Sequence, residues 1–81
     1  MNDLESRILK RFPERIESID RLLAEDPDFQ DLCEDYDICL NALQYWTTSG
    51  KPEAKTRVKE YRALAKEFEE EIHQFLLKPG Y

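Results

Sequence analysis

The sequence predicts an all-α protein, an antiparallel helical hairpin with an additional N-terminal helix that is kinked or broken near Pro13. Three observations predict it. Apolar residues recur at spacings of three and four through two long segments, 27–48 and 52–77, the repeat of helices that each bury one stripe. The link between them is so short that the two helices must run antiparallel. Only two glycines are present, and turn clusters are too few for a many-stranded β fold.

The N-terminal segment, 3–24, opens with Asn2 and Glu5 in capping-box spacing. Leu9, Phe12, Ile16, Ile19 and Leu23 follow in a heptad pattern. Pro13 lies inside that run, where it removes the bond to the Leu9 carbonyl and crowds it, at about 3 kcal/mol in a straight helix. Phe12, preceding a proline, is pushed towards extended backbone. A break at 12–13 is expected, with a solid helix from Pro13 to Ala24.

Asp26-Pro27 starts the second helix, with Asp at the N-cap, Pro at the first helical position and Asp28 at the positive dipole end. Its seam reads Phe29, Leu32, Tyr36, Cys39, Leu43 and Trp46, widened by Cys33 and Leu40. Gly50 suits the left-handed position that closes a helix. Lys51-Pro52 starts the last helix, whose seam reads Ala54, Val58, Tyr61, Ala65, Phe68, Ile72 and Phe75. Pro79-Gly80 stops it, leaving a tail at 78–81. Counted outward from the turn, Leu43 should face Val58, Cys39 should face Tyr61, and Leu32 should face Phe68.

With 81 residues there is room for one domain, and a compact chain this short buries roughly 60–65% of its unfolded surface. The net charge of −6 counts against nucleic-acid and anionic-membrane binding. No run approaches the ~18–20 apolar residues of a spanning helix. Met1 to Glu5 lacks the cationic start and apolar core of a signal peptide. Cys33 and Cys39, six apart on one helix, point about 120° away from each other, too far for a disulfide. Free thiols fit a reducing compartment, so cytoplasm is the expected location.

Charge is unevenly laid out. Residues 26–50 hold six acids and no base, and the last helix carries its bases first and its acids last. An antiparallel hairpin therefore gathers Asp28, Asp31, Glu34, Asp35 and Asp37 at one pole with Glu67, Glu69, Glu70 and Glu71. Like charges within a Debye length of ~8 Å need a basic neighbour. Arg7, Arg11 and Arg15 are the internal candidates, and a basic partner protein is the external one.

The run Leu22-Leu23-Ala24-Glu25-Asp26-Pro27-Asp28-Phe29, followed by Leu32, Tyr36 and Leu40, resembles the YdcH-like family of small bacterial helical-hairpin proteins. The closing stretch Lys66-Glu67-Phe68-Glu69-Glu70-Glu71-Ile72 is similar to that family's acidic-Glu-Ile ending. The resemblance covers about residues 16–77. It departs at the 15-residue N-terminal extension and at Val58 to Leu64, where the family is richer in Lys and Arg with Leu. It implies a two-helix hairpin in a bacterial cytosol and transfers no catalytic residue.

No constellation names a reaction. Glu70-x-x-His73 is half of a di-iron signature that needs a second such motif and two more glutamates, and His73 is the only histidine. Asp26, Asp28 and Asp31 lack the remaining ligands of a calcium loop, and the cysteines lack zinc or redox spacing. Arg15-Ile16-x-x-Ile19-Asp20-x-Leu22-Leu23 is similar to the opening helix of all-α chorismate mutases, without that fold's downstream basic residues. The expectation is no catalytic residue, no metal, no cofactor and no small-molecule substrate. Ile38 and Tyr45, seven apart and far from the seam, form a candidate interaction patch. A self-associating interaction module, as a homodimer, is the leading expectation; an acidic regulator that captures a basic protein is the alternative, and a small enzyme the remote one.

Overall fold

The computed structural model describes the backbone of residues 3–77 and the side chains of residues 6–77. Among the described residues its only regular secondary structure is helix, without a strand. Helix α1 spans Asp3–Arg11, α2 Ile16–Glu25, α3 Pro27–Thr48 and α4 Ala54–Leu77. The Asn2 cap expected for α1 lies outside the described residues.

The break at Pro13 occurs where the chemistry of proline requires it. Phe12 leaves helical geometry at φ −128°, ψ 63°, as a residue before proline tends to do. Pro13–Arg15 then forms a 3-10 turn, closed by Arg15 N–H donating to the Phe12 carbonyl at 3.1 Å. Regular α2 begins only at Ile16, three residues later than a helix started by Pro13 itself.

Asp26 both ends α2 and starts α3. Its N–H donates to the Leu22 carbonyl at 2.9 Å, while its side chain accepts from Asp28 N at 3.0 Å and Phe29 N at 3.2 Å. Those acceptor contacts satisfy amide groups that a helix start leaves unpaired. Gln30 braces the same corner, its Nε2 donating to the Leu23 carbonyl.

The α3–α4 connection differs from expectation in two ways. Gly50 stays out of the left-handed region. The helix ends instead at Ser49, in extended backbone at φ −79°, ψ 140°, and the Ser49 hydroxyl accepts from Lys51 N at 3.2 Å. Helix α4 begins at Ala54 rather than Pro52, because Lys51–Glu53 is used as a turn in which Ala54 N donates to the Lys51 carbonyl.

Helices α3 and α4 form the main interface. Phe29 meets Phe75 edge-on at 5.4 Å, and Tyr36 meets Phe68 at 6.5 Å. Near the turn the Cys39 thiol donates to the Tyr61 carbonyl at 3.5 Å, the pairing expected there. Phe68 was expected opposite Leu32; its aromatic partner is Tyr36, one turn closer to the connection. Leu43, assigned to the seam, is only half-buried.

Helices α1 and α2 lie across one flank of this hairpin and complete a core of Ile8, Ile19, Leu22, Phe29, Cys33, Tyr36, Cys39, Ala65, Ile72 and Leu76. The molecule measures 47 × 23 × 22 Å; the flank of α4 that bears Leu64 is exposed.

Candidate functional site

Along α4, the residues Arg57, Glu60, Leu64, Glu67, Glu71 and Gln74 follow one another at spacings of 3, 4, 3, 4 and 3, which places them on one face. Three surface depressions run along that face. One of about 390 Å³ is lined by Arg57, Tyr61 and Leu64 among others; a second of about 580 Å³ shares Leu64 and Glu67 with it. The third, of about 300 Å³, shares Glu71 and Gln74 with the second and reaches Asp28 and Leu32 of α3. Together they form one groove, ~26 Å long at 1.5 Å per residue.

The floor is apolar and the rim acidic. Leu32, Tyr61, Phe68 and Phe75 are half-buried, and Leu64 is 37% exposed. Asp28, Glu60, Glu67, Glu70 and Glu71 stand along the edge. Arg57 is the one base among the residues lining these three depressions, and it bonds Glu60 at 3.3 Å in an exposed pair. Such pairs hold little energy, about 0–1 kcal/mol, so Arg57 is free to exchange partners.

In the C-terminal half of α4 the opposite flank is engaged at Glu69. Arg11 Nη2 of α1 donates to Glu69 Oε1 at 2.9 Å, and the Tyr36 hydroxyl donates to Glu69 Oε2 at 2.7 Å. Burial and this bond to Glu69 push the Tyr36 phenol well above its ordinary value, while the Glu69 carboxylate raises Arg11. Arg7 reaches Asp37 of α3 at 2.6 Å. Two of the three arginines expected to offset the acids therefore do so, at Asp37 and Glu69. Among the described residues, Arg15 is exposed and makes no ion pair.

The acids expected at one pole are divided by the fold. Asp28, Glu67, Glu70 and Glu71 border the groove, whereas Asp31, Glu34 and Asp35 are exposed on α3 and line none of its three depressions. Ile38 and Tyr45 are exposed at 65% and 52%, on the α3 face opposite its seam. They do not join the groove. Lys51 Nζ bonds the Tyr45 hydroxyl at 3.0 Å and sits 5.6 Å from its ring centre, and Trp46 packs edge-on to the same ring. Tyr45 thus has company on the surface, and Ile38 stands a turn and more away.

No family model matches this chain, and no curated protein or solved structure does either. The chemistry available must be read from the side chains. Among the described residues no group of three or more His, Cys, Asp or Glu is placed to hold a metal ion, and no helix is long and apolar enough to cross a membrane. His73 is exposed. Cys33 and Cys39 are buried free thiols; burial pushes Cys33 up to about 12 and raises Cys39 as well, so neither is a ready nucleophile.

Leu64 and Arg57 were missed by seam-based reading because both fall outside the a/d stripe. The signal was present as a second stripe running parallel to the seam, but a mixed row of Arg, Glu, Leu and Gln reads as an ordinary solvated face.

Proposed function

We propose that this chain is a non-enzymatic interaction module that pairs with a second copy of itself along the α4 groove. The observation that carries this reading is the position of Leu64 near the middle of α4, with Arg57 seven residues before it and Glu71 seven residues after, all on one face. A two-fold axis at Leu64 sets α4 against α4 of the second copy, antiparallel. Each Leu64 then covers the other, and each Arg57 meets the second copy's Glu71.

The pairing is isologous and closes on itself, the usual form of a soluble homodimer. Its favourable terms are burial of the apolar floor, at roughly 25 cal/mol per Å², and two charge contacts that fix the direction. Three and four residues from the axis, Glu67 meets Tyr61 of the second copy and Glu60 lies over Phe68. The Tyr61 hydroxyl supplies a donor for Glu67 in that arrangement. The resulting assembly is a four-helix hairpin pair with both α1–α2 layers on the outside.

A second reading, capture of a basic amphipathic helix from another protein, is favoured by the five rim carboxylates against one arginine. Such a ligand would lay an apolar stripe on Leu64 and Phe68 and offer lysines or arginines to the rim. Kinship with the YdcH-like bacterial hairpins belongs to this proposal too, resting on the Leu22-to-Leu32 pattern and the helix pair begun at Pro27. So does a reducing, cytoplasmic setting, for which the two buried thiols are the support.

Light scattering behind size exclusion tests the leading reading. Wild type is expected to be dimeric at high micromolar concentration and Leu64→Glu monomeric, with unchanged helicity by circular dichroism. A strict monomer, or a dimer indifferent to Leu64→Glu, overturns self-pairing on this face. A monomer that takes up a basic helical peptide in a salt-sensitive way supports the second reading.

A further inference from the structure

The turn end of the hairpin holds a second groove of opposite charge. A depression of about 560 Å³ has Trp46 and Val58 in its wall and Lys55, Lys59 and Arg62 along its edge. Those three bases, at i, i+4 and i+7, make one stripe about 10.5 Å long on α4. At 100° per residue they lie on the flank opposite Arg57 and Leu64, so pairing along the acidic groove leaves them open.

Nothing across the hairpin offsets them. Residues 39–50 of α3 and the turn carry no charge, and residues 39–66 hold six bases against two acids. Of those acids, Glu60 is bonded to Arg57 and Glu53 belongs to the turn. Further along the hairpin Arg7 and Arg11 answer Asp37 and Glu69; among the described residues Lys55, Lys59 and Arg62 make no ion pair. A neighbouring depression of about 330 Å³, lined by Leu40 and Gln44, adds Lys10 near the end of α1, beside Arg7 and Arg11, which are bonded to Asp37 and Glu69. Leu40, Gln44 and Thr47 follow at spacings of four and three, and Thr47 lines the larger depression. Both depressions therefore open on one flank of α3.

We propose that this Trp46-walled basic groove binds an acidic peptide segment of a partner protein, with one apolar side chain seated against Trp46 and Val58. Charge complementarity selects the partner. Carboxylates one helical turn apart match Lys55, Lys59 and Arg62 and gain speed and specificity from the field. The apolar wall distinguishes a peptide anchor from a bare phosphate. This site is separate from the α4 pairing face and stands or falls without it.

Trp46 is the only tryptophan, so its emission reports binding directly. The probe is a synthetic, tryptophan-free peptide of glutamates around a single phenylalanine, titrated into the full chain. The expected result is a saturable change in Trp46 emission. Lys59→Glu with Arg62→Glu weakens it by roughly tenfold or more, the scale of losing two exposed charge contacts. Lys59→Gln with Arg62→Gln produces a smaller loss in the same direction, and added salt weakens wild-type binding. An unresponsive Trp46, or equal affinity in the charge-reversed chain, overturns the proposal. So does an oligothymidylate that competes with equal strength, which would make the groove a nucleic-acid site. Loss of the dimer in Lys59→Glu with Arg62→Glu would assign the flank to self-association instead and overturn it equally.

Discussion

The Tyr36 hydroxyl donates to Glu69 Oε2 at 2.7 Å, a bond that crosses from α3 to α4 while Arg11 of α1 holds the other carboxylate oxygen at 2.9 Å. One carboxylate thus joins three helices. Tyr36 is almost fully buried and Glu69 half-buried, so the bond to the phenol is shielded from water on the tyrosine side. Tyr36→Phe keeps the ring against Phe68 and removes only the donor. A hydrogen bond to a charged acceptor contributes about 1.5–3 kcal/mol, and Arg11 still serves the carboxylate, so a loss near 1.5 kcal/mol is expected. That lowers the midpoint of thermal unfolding by roughly 6–12 °C in a chain of this size. A change under about 2 °C in a calorimetric scan would mean that Glu69 is satisfied without Tyr36.

Alkali should unfold this protein early. Cys33 is raised by burial from its usual 9.0 to about 12, and Cys39 and Tyr36 are raised as well. The unfolded chain releases these protons at lower pH than the folded one. Stability is therefore complete below pH 9 and falls as pH climbs towards 12. Urea midpoints measured across that window should decline steadily. Cys33→Ala should begin lower, from the lost packing, and decline less steeply; the remaining slope belongs to Cys39 and Tyr36. Parallel curves for the two proteins would contradict the burial of the Cys33 thiol.

The register of the hairpin can be checked by truncation. Ile72 is fully buried, and Ile72→Ala should cost about 2–5 kcal/mol by removing atoms from a packed site. Leu43 is half-buried, so Leu43→Ala should cost clearly less, about 1–2 kcal/mol. Equal losses in urea titrations would place Leu43 deeper in the seam than the structure has it; a loss below about 0.5 kcal/mol at Ile72 would refute the packing of α4.

Local chemistry was legible in the sequence, and the choice of flank was not. Asp26 caps α3 as its position before Pro27 foretold, since both requirements are met within three residues. Phe12 leaves helical geometry because a proline follows it. The seam from Phe29 to Phe75 closes because its period leaves few alternatives. Gly50 shows the limit of such rules: a serine hydroxyl at position 49 tied the chain down first. Leu64 and Leu76 show the deeper limit. Both are leucines beside the seam of α4, yet Leu76 is buried in the core and Leu64 lies in the open groove. Which side α1 and α2 cover is decided by contacts far apart in sequence, such as Arg7 with Asp37 and Arg11 with Glu69. A stripe pattern on α4 carries no record of that choice. The candidate groove is the flank left over, and so it became visible only with the fold.

The measurement that bears most directly on the pairing of two copies along α4 is sedimentation equilibrium of a charge-swap set. Arg57→Glu alone puts glutamates against the second copy's Glu71, and Glu71→Arg alone puts arginines together; each should shift the equilibrium strongly towards monomer. Arg57→Glu with Glu71→Arg restores opposite charges at both contacts and should return the dimer. If the double variant dissociates as far as the single ones, or if neither single variant dissociates at all, the two copies do not meet antiparallel through Leu64.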